Sequence, residues 1–116
     1  MYRCQPHVAD SKESSMTAII AVLGTVRFAP DKVADILPHL KTLVDATRRL
    51  DGCITYDVAE DPWDRGLFRY TELWPDQESL TRHLKAPHIA PWRAAAGAFV
   101  LERTFTVYDV SGERPL

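Results

Sequence analysis

Gly52-Cys-Ile-Thr-Tyr-Asp-Val-Ala-Glu60-Asp-Pro-Trp-Asp-Arg-Gly66-Leu-Phe-Arg-Tyr-Thr-Glu-Leu-Trp74 is the stretch that decides the fold. Cys53 to Glu60 and Leu67 to Trp74 are rich in β-branched and aromatic residues, as strands are. Asp61 to Gly66 between them supplies the Pro and Gly of a hairpin loop. An antiparallel hairpin therefore stands at the centre of the chain.

Helical signals flank it. Upstream, Val33, Ile36, Leu37, Leu40, Leu43, Val44 and Leu50 recur at helical spacing, after a start at Ala29-Pro30-Asp31. Pro38 removes one backbone bond and is expected to bend this helix, which Asp51-Gly52 ends. Thr17 to Phe28 precedes it as a strand. Downstream, Pro75-Asp76 opens a second helix, with Leu80 and Leu84 one turn apart, that runs to about Ala86. Pro87 and Pro91 interrupt the chain beyond it, Trp92 to Ala98 makes a short helical continuation, and Phe99 to Val110 forms the last strand. The order β-α-β-β-α-β predicts a ferredoxin-like α+β fold: a four-stranded antiparallel sheet with helices on one face. Residues 1–15 read as a polar leader and residues 16–116 as a single domain.

The strands are apolar on both sides. Ile19, Ala21 and Leu23 alternate with Ile20, Val22 and Val26; Leu67 and Leu73 oppose Phe68, Tyr70 and Trp74. A half-solvated sheet would be polar on one side, and two helices cover only one face. A homodimer packed sheet against sheet is expected.

Composition narrows the function classes. The 116 residues are 46% hydrophobic and 26% charged with a net charge of −2, which gives no basic field for nucleic acid and no cationic face for lipid. No apolar run spans a bilayer, and the N-terminus lacks a signal-peptide core, so a cytoplasmic location is expected. Cys4 and Cys53 make no disulfide framework, and Cys53 reads as a small buried hydrophobe.

Three motifs then suggest a family. Gly52-Cys53-Ile54-Thr55-Tyr56, Phe68-x-x-x-Glu72-x-Trp74 and His83-Leu84-x-x-Pro87-His88, in that order and spacing, resemble the antibiotic biosynthesis monooxygenases, and among them the quinol monooxygenase-like members. The resemblance covers roughly residues 17–108. It implies a dimeric α+β barrel and an oxygenase that needs no cofactor, acting with O2 on a small phenol or hydroquinone.

Such chemistry requires a base to form the phenolate, a donor for the oxyanion and aromatic walls. His83, between Leu80 and Leu84, is the expected base, and imidazole accepts a proton at neutral pH. Glu72 shares a strand face with Phe68, Tyr70 and Trp74, where it would support an imidazolium or instead pair with Arg69 or Arg103. Tyr56 is a candidate hydrogen-bond donor or a core residue. Phe68, Tyr70, Trp74 and Trp92 are candidate walls, and equally core packing. His88 lines the pocket mouth or caps a helix, and Arg93 meets an anionic substrate or faces solvent. His83, His88 and Glu72 lack the spacing of a helical zinc motif, so no metal is expected. The chain contains no asparagine, which argues against the haem-degrading members. A non-catalytic binder of an aromatic metabolite and a dimeric-barrel isomerase are the rival readings.

Overall fold

The computed structural model describes residues 19–116. The leader expected over residues 1–15 lies outside them. Strand β1 (Ile19–Phe28) leads through one 3-10 turn into helix α1 (Val33–Leu50). Strands β2 (Thr55–Glu60) and β3 (Leu67–Trp74) form the hairpin. Helices α2 (Gln77–Leu84) and α3 (Ile89–Ala96) come next, and β4 (Val100–Val110) closes the fold.

The sheet order is β2-β3-β1-β4 with every pairing antiparallel, the arrangement that the β-α-β-β-α-β pattern predicts. The core arises from two periodicities. Val33, Ile36, Leu40 and Leu43 form the apolar stripe of α1, and alternate residues Ile20, Val22, Val26 and Phe28 of β1 face it. Each such buried aliphatic side chain contributes about 1.5–3 kcal/mol. Helix α1 runs unbroken through Pro38, where Thr42 Oγ1 donates to the Pro38 carbonyl at 3.1 Å.

Two glycines shape the sheet. Gly66 turns the hairpin at φ +91°, and a Cβ there would meet the Phe28 carbonyl oxygen at 2.6 Å. Gly24, in mid-strand, lets the Phe105 ring pack directly against β1; an added Cβ would meet that ring at 2.2 Å.

The region after α2 differs from expectation. Pro91 does not interrupt a helix; it is the third residue of α3. A first-turn N–H has no acceptor within its own helix, so proline is accommodated there. The break falls at Lys85–His88, before α3 begins.

Cys53 is buried as expected, yet it is not a free thiol. The other cysteine, Cys4, lies outside the described residues. No helix among the described residues is long and apolar enough to cross a membrane. The sheet face without helices presents apolar side chains, with Leu23 49% and Tyr108 48% exposed. On the helix-side face, β4 is left largely uncovered, and this opens a cleft.

Candidate active site

The cleft, about 740 Å³, lies between the helix-side face of the sheet and helices α2 and α3. Strand alternation supplies its floor. Tyr70 and Glu72 sit two apart on β3, and Tyr56 on β2 is directly opposite Glu72. Helix α2 supplies its back wall. The helix is fixed by Asp76, whose Oδ1 accepts from the Ser79 N–H at 2.8 Å. Leu80 and His83, three residues apart, then face inward together.

His83 is 4% exposed. Its Nδ1 lies 2.6 Å from Asp51 Oδ2, and His88 Nε2 lies 2.9 Å from the same oxygen. Thr47 Oγ1 is 3.4 Å from that His88 nitrogen. An ionised carboxylate only accepts, so both imidazoles donate to it. The hydrogen-bond network thereby assigns His83 the Nδ1–H tautomer and leaves Nε2 with a free lone pair. The ring is held between Trp74, centroids 4.9 Å apart, and Tyr56, 5.2 Å.

Among the described residues no buried side-chain nitrogen or oxygen lacks a partner. Among the described residues His83 Nε2 and the hydroxyls of Tyr56 and Tyr70 make no hydrogen bond, so they open onto the cleft. One oxygen of Glu72 does the same, while its Oε1 accepts from Trp74 Nε1 at 2.9 Å.

Burial sets the protonation states. It lowers the His83 pKa below the usual imidazole value, with the Asp51 hydrogen bond and charge opposing. His83 is therefore neutral and basic at pH 7. Burial pushes Glu72 up to about 7, against the Trp74 hydrogen bond. Tyr56 and Tyr70 are raised by burial and then by the Glu72 charge, so both remain hydroxyl donors.

Six of the residues singled out from sequence line the cleft: Tyr56, Tyr70, Glu72, His83, Trp92 and Arg93. Three do not. Phe68 packs edge-on against Phe28 and is buried in the core. Trp74 is fully buried and stacks on His83 from behind. His88 turns away to Asp51. The carboxylate that orients His83 is also not the expected one. Asp51 fills that role, and Glu72 bonds Trp74 instead of Arg69 or Arg103.

Sequence reasoning missed Asp51 and Phe105, and it reached Arg103 only as a possible partner of Glu72. A signal existed for the first, since an acid at a helix C-terminus opposes the helix dipole and needs compensation.

Asp51, His83 and His88 offer ligand atoms within 4.8 Å of one another. Their contacts of 2.6 and 2.9 Å are hydrogen-bond lengths. Ligands about 2.0–2.1 Å from one tetrahedral ion would stand over about 3 Å apart. The trio as built is a proton-sharing cluster.

A family model for antibiotic biosynthesis monooxygenases matches residues 19–95. Protein Rv0793 of Mycobacterium tuberculosis is 30% identical over 82 residues, covering 71% of this chain and 80% of that one. Its structure superposes with a TM-score of 0.69, at 27% identity over 84% of this chain and 95% of the other. Protein sll1783 of Synechocystis sp. is 29% identical over 69 residues, 60% of this chain, and the chain spans about half (47%) of its length. A crystal structure of an antibiotic biosynthesis monooxygenase matches with TM-score 0.74 and 27% identity, over 78% and 97% of the two chains. The chain belongs to the antibiotic biosynthesis monooxygenase family.

Proposed function

We propose that the protein is a cofactor-independent monooxygenase that takes a small phenol or hydroquinone and O2. The observation that carries this reading is His83 Nε2, unbonded and opening onto a largely apolar cleft with the Asp51 carboxylate behind it. Nε2 takes the phenolic proton, and the Asp51 charge stabilises the imidazolium that results. The Tyr56 hydroxyl donates to the phenolate oxygen. The phenolate, electron-rich as the neutral phenol is not, gives its electrons to O2 held among the apolar side chains. In the net reaction a phenol and O2 become a quinone and water; one oxygen atom enters the ring and the other leaves as water. A hydroquinone oxidised without insertion gives quinone and hydrogen peroxide at the same site.

The working unit in this reading is a homodimer. Its support is the helix-free sheet face, where apolar Leu23 and Tyr108 stand half-exposed. A second copy covering that face would bury more than about 1,000 Å², as stable interfaces do.

Oxygen uptake with a panel of reduced quinones and phenols, in the presence of a chelator, tests the reading. Wild-type protein should consume O2, and His83→Ala should not while keeping its fold and assembly. Uptake unchanged in that variant would remove His83 as the base. Product formed equally well without O2 would instead indicate an isomerase.

A further inference from the structure

Resting on that reading, we propose that the substrate is a phenolic acid, with its phenol at His83 and its carboxylate held by Arg103 and Arg93. The arginines among the described residues divide into two groups. Away from the cleft they have carboxylate partners: Arg27 with Asp64, Arg48 with Asp57, Arg49 with Asp45, Arg69 with Asp61 and Arg82 with Glu78. Only Arg65 in the hairpin loop and Arg114 in the C-terminal tail depart from this. Arg93 and Arg103 both line the cleft, and neither has an acidic partner among the described residues.

Their placement is specific. The Arg103 guanidinium lies over the Phe105 ring, 5.1 Å from its centroid. Phe105 in turn packs edge-on against Tyr70 at 5.2 Å and rests on Gly24. One cation is thus anchored at the β4 side of the cleft. Arg93 lines the cleft from α3, and its charge disfavours protonation of the His83 imidazole.

The remaining titratable groups leave this positive field largely intact. His83 is neutral, and Glu72 is about half protonated near pH 7. An ionised acid entering an apolar cleft loses hydration, and only a charge-paired partner offsets that loss. Planar guanidiniums match a carboxylate's geometry with two parallel hydrogen bonds. A cleft of about 740 Å³ suits a small aromatic ligand spanning from Arg103 to His83.

The test compares 2,5-dihydroxybenzoate with its methyl ester, which has the same hydroquinone ring and no charge. Calorimetry without O2 measures binding to wild type, Arg103→Gln and Arg93→Gln. The acid should bind wild type about tenfold or more tightly than the ester. Arg103→Gln should erase most of that preference without weakening the ester, and added salt should weaken only the acid. Equal affinities, a preference that survives both substitutions, or no binding of either compound at millimolar concentration would overturn the proposal. Oxygen uptake separates the two claims. Arginine-dependent binding of the acid with no uptake would end the oxygenase reading and keep the anionic ligand. Uptake on acid and ester alike, unaffected by either substitution, would do the reverse.

Discussion

Asp51 and His83 are 32 positions apart in the chain, yet they share a hydrogen bond of 2.6 Å between buried side chains. Asp51 is the C-cap of α1, where the partial negative charge of the helix end disfavours an acid. Gly52, at φ +75°, comes next and turns the chain sharply toward β2. Two imidazole donors on one carboxylate oxygen offset the cost of burying that acid at that end. The residue is therefore badly placed for the stability of α1 and well placed to fix the His83 tautomer.

Replacing Asp51 separates orientation from structure. Asp51→Ala leaves two donors without their acceptor and should cost about 1–3 kcal/mol in chemical denaturation. Asp51→Asn keeps the shape but not the charge that raises the His83 pKa. The acid limb of kcat/KM should then move to lower pH, and kcat should fall by about tenfold to a hundredfold. A loss of activity with an unshifted acid limb would assign Asp51 a purely structural part.

Glu72 makes stability depend on pH with a predictable sign. Its folded pKa of about 7 lies above the ordinary value of 4.5, so the folded chain keeps a proton that the unfolded chain releases between those values. The stability this supplies is full below pH 4.5 and lost as pH rises through 7, a change of roughly 3 kcal/mol at most. His83 acts in the opposite direction. Its depressed pKa makes its contribution full above 6.5 and lost as pH falls through the folded value. Urea midpoints of wild type and Glu72→Gln, compared near pH 5 and pH 8, isolate the carboxyl. The variant should gain on wild type as pH rises, and a constant difference would contradict the assignment.

The helix-free face of the sheet yields a prediction about assembly. Leu23 lies opposite Thr106 and Tyr108 opposite Ala21, so both side chains stand on the same face of β1 and β4, and both are half-exposed. Leu23→Glu places a charge that only an unpaired face tolerates. Sedimentation should find wild type as a dimer and the variant as a folded monomer. A wild-type monomer at high concentration would retire the paired architecture.

The fold was legible because its signals are local and periodic. The alternation Phe68, Tyr70, Glu72, Trp74 and the helical stripe from Val33 to Leu43 each settle an element without reference to the rest of the chain. The candidate site was legible where those periods reach it, at Tyr56, Tyr70, Glu72 and His83. It was not legible where packing between distant elements decides. Nothing near His83 in sequence points to Asp51, which α1 delivers from the other side of the hairpin. Phe105 belongs to a strand legible only in its extent, and Arg103 is legible there only as a partner for Glu72. Trp74 and Phe68 have the right face but lie too deep to meet a ligand, and alternation carries no information on depth.

Gly24 connects sheet geometry to ligand binding. It sits opposite Tyr70 on one side and Phe105 on the other, and the Phe105 ring fills the space where a side chain would start. Gly24→Ala therefore cannot be accommodated without moving that ring, since the contact would be 2.2 Å. Overpacking of this kind costs about 1–3 kcal/mol. The displaced ring would also lose its edge contact with Tyr70 and its place beneath Arg103. Gly24→Ala should accordingly lower the thermal midpoint and weaken binding of an anionic aromatic, while Gly112→Ala, which meets nothing within 4 Å, should do neither. Unchanged binding in a destabilised Gly24→Ala protein would show that Phe105 packs the sheet without positioning Arg103.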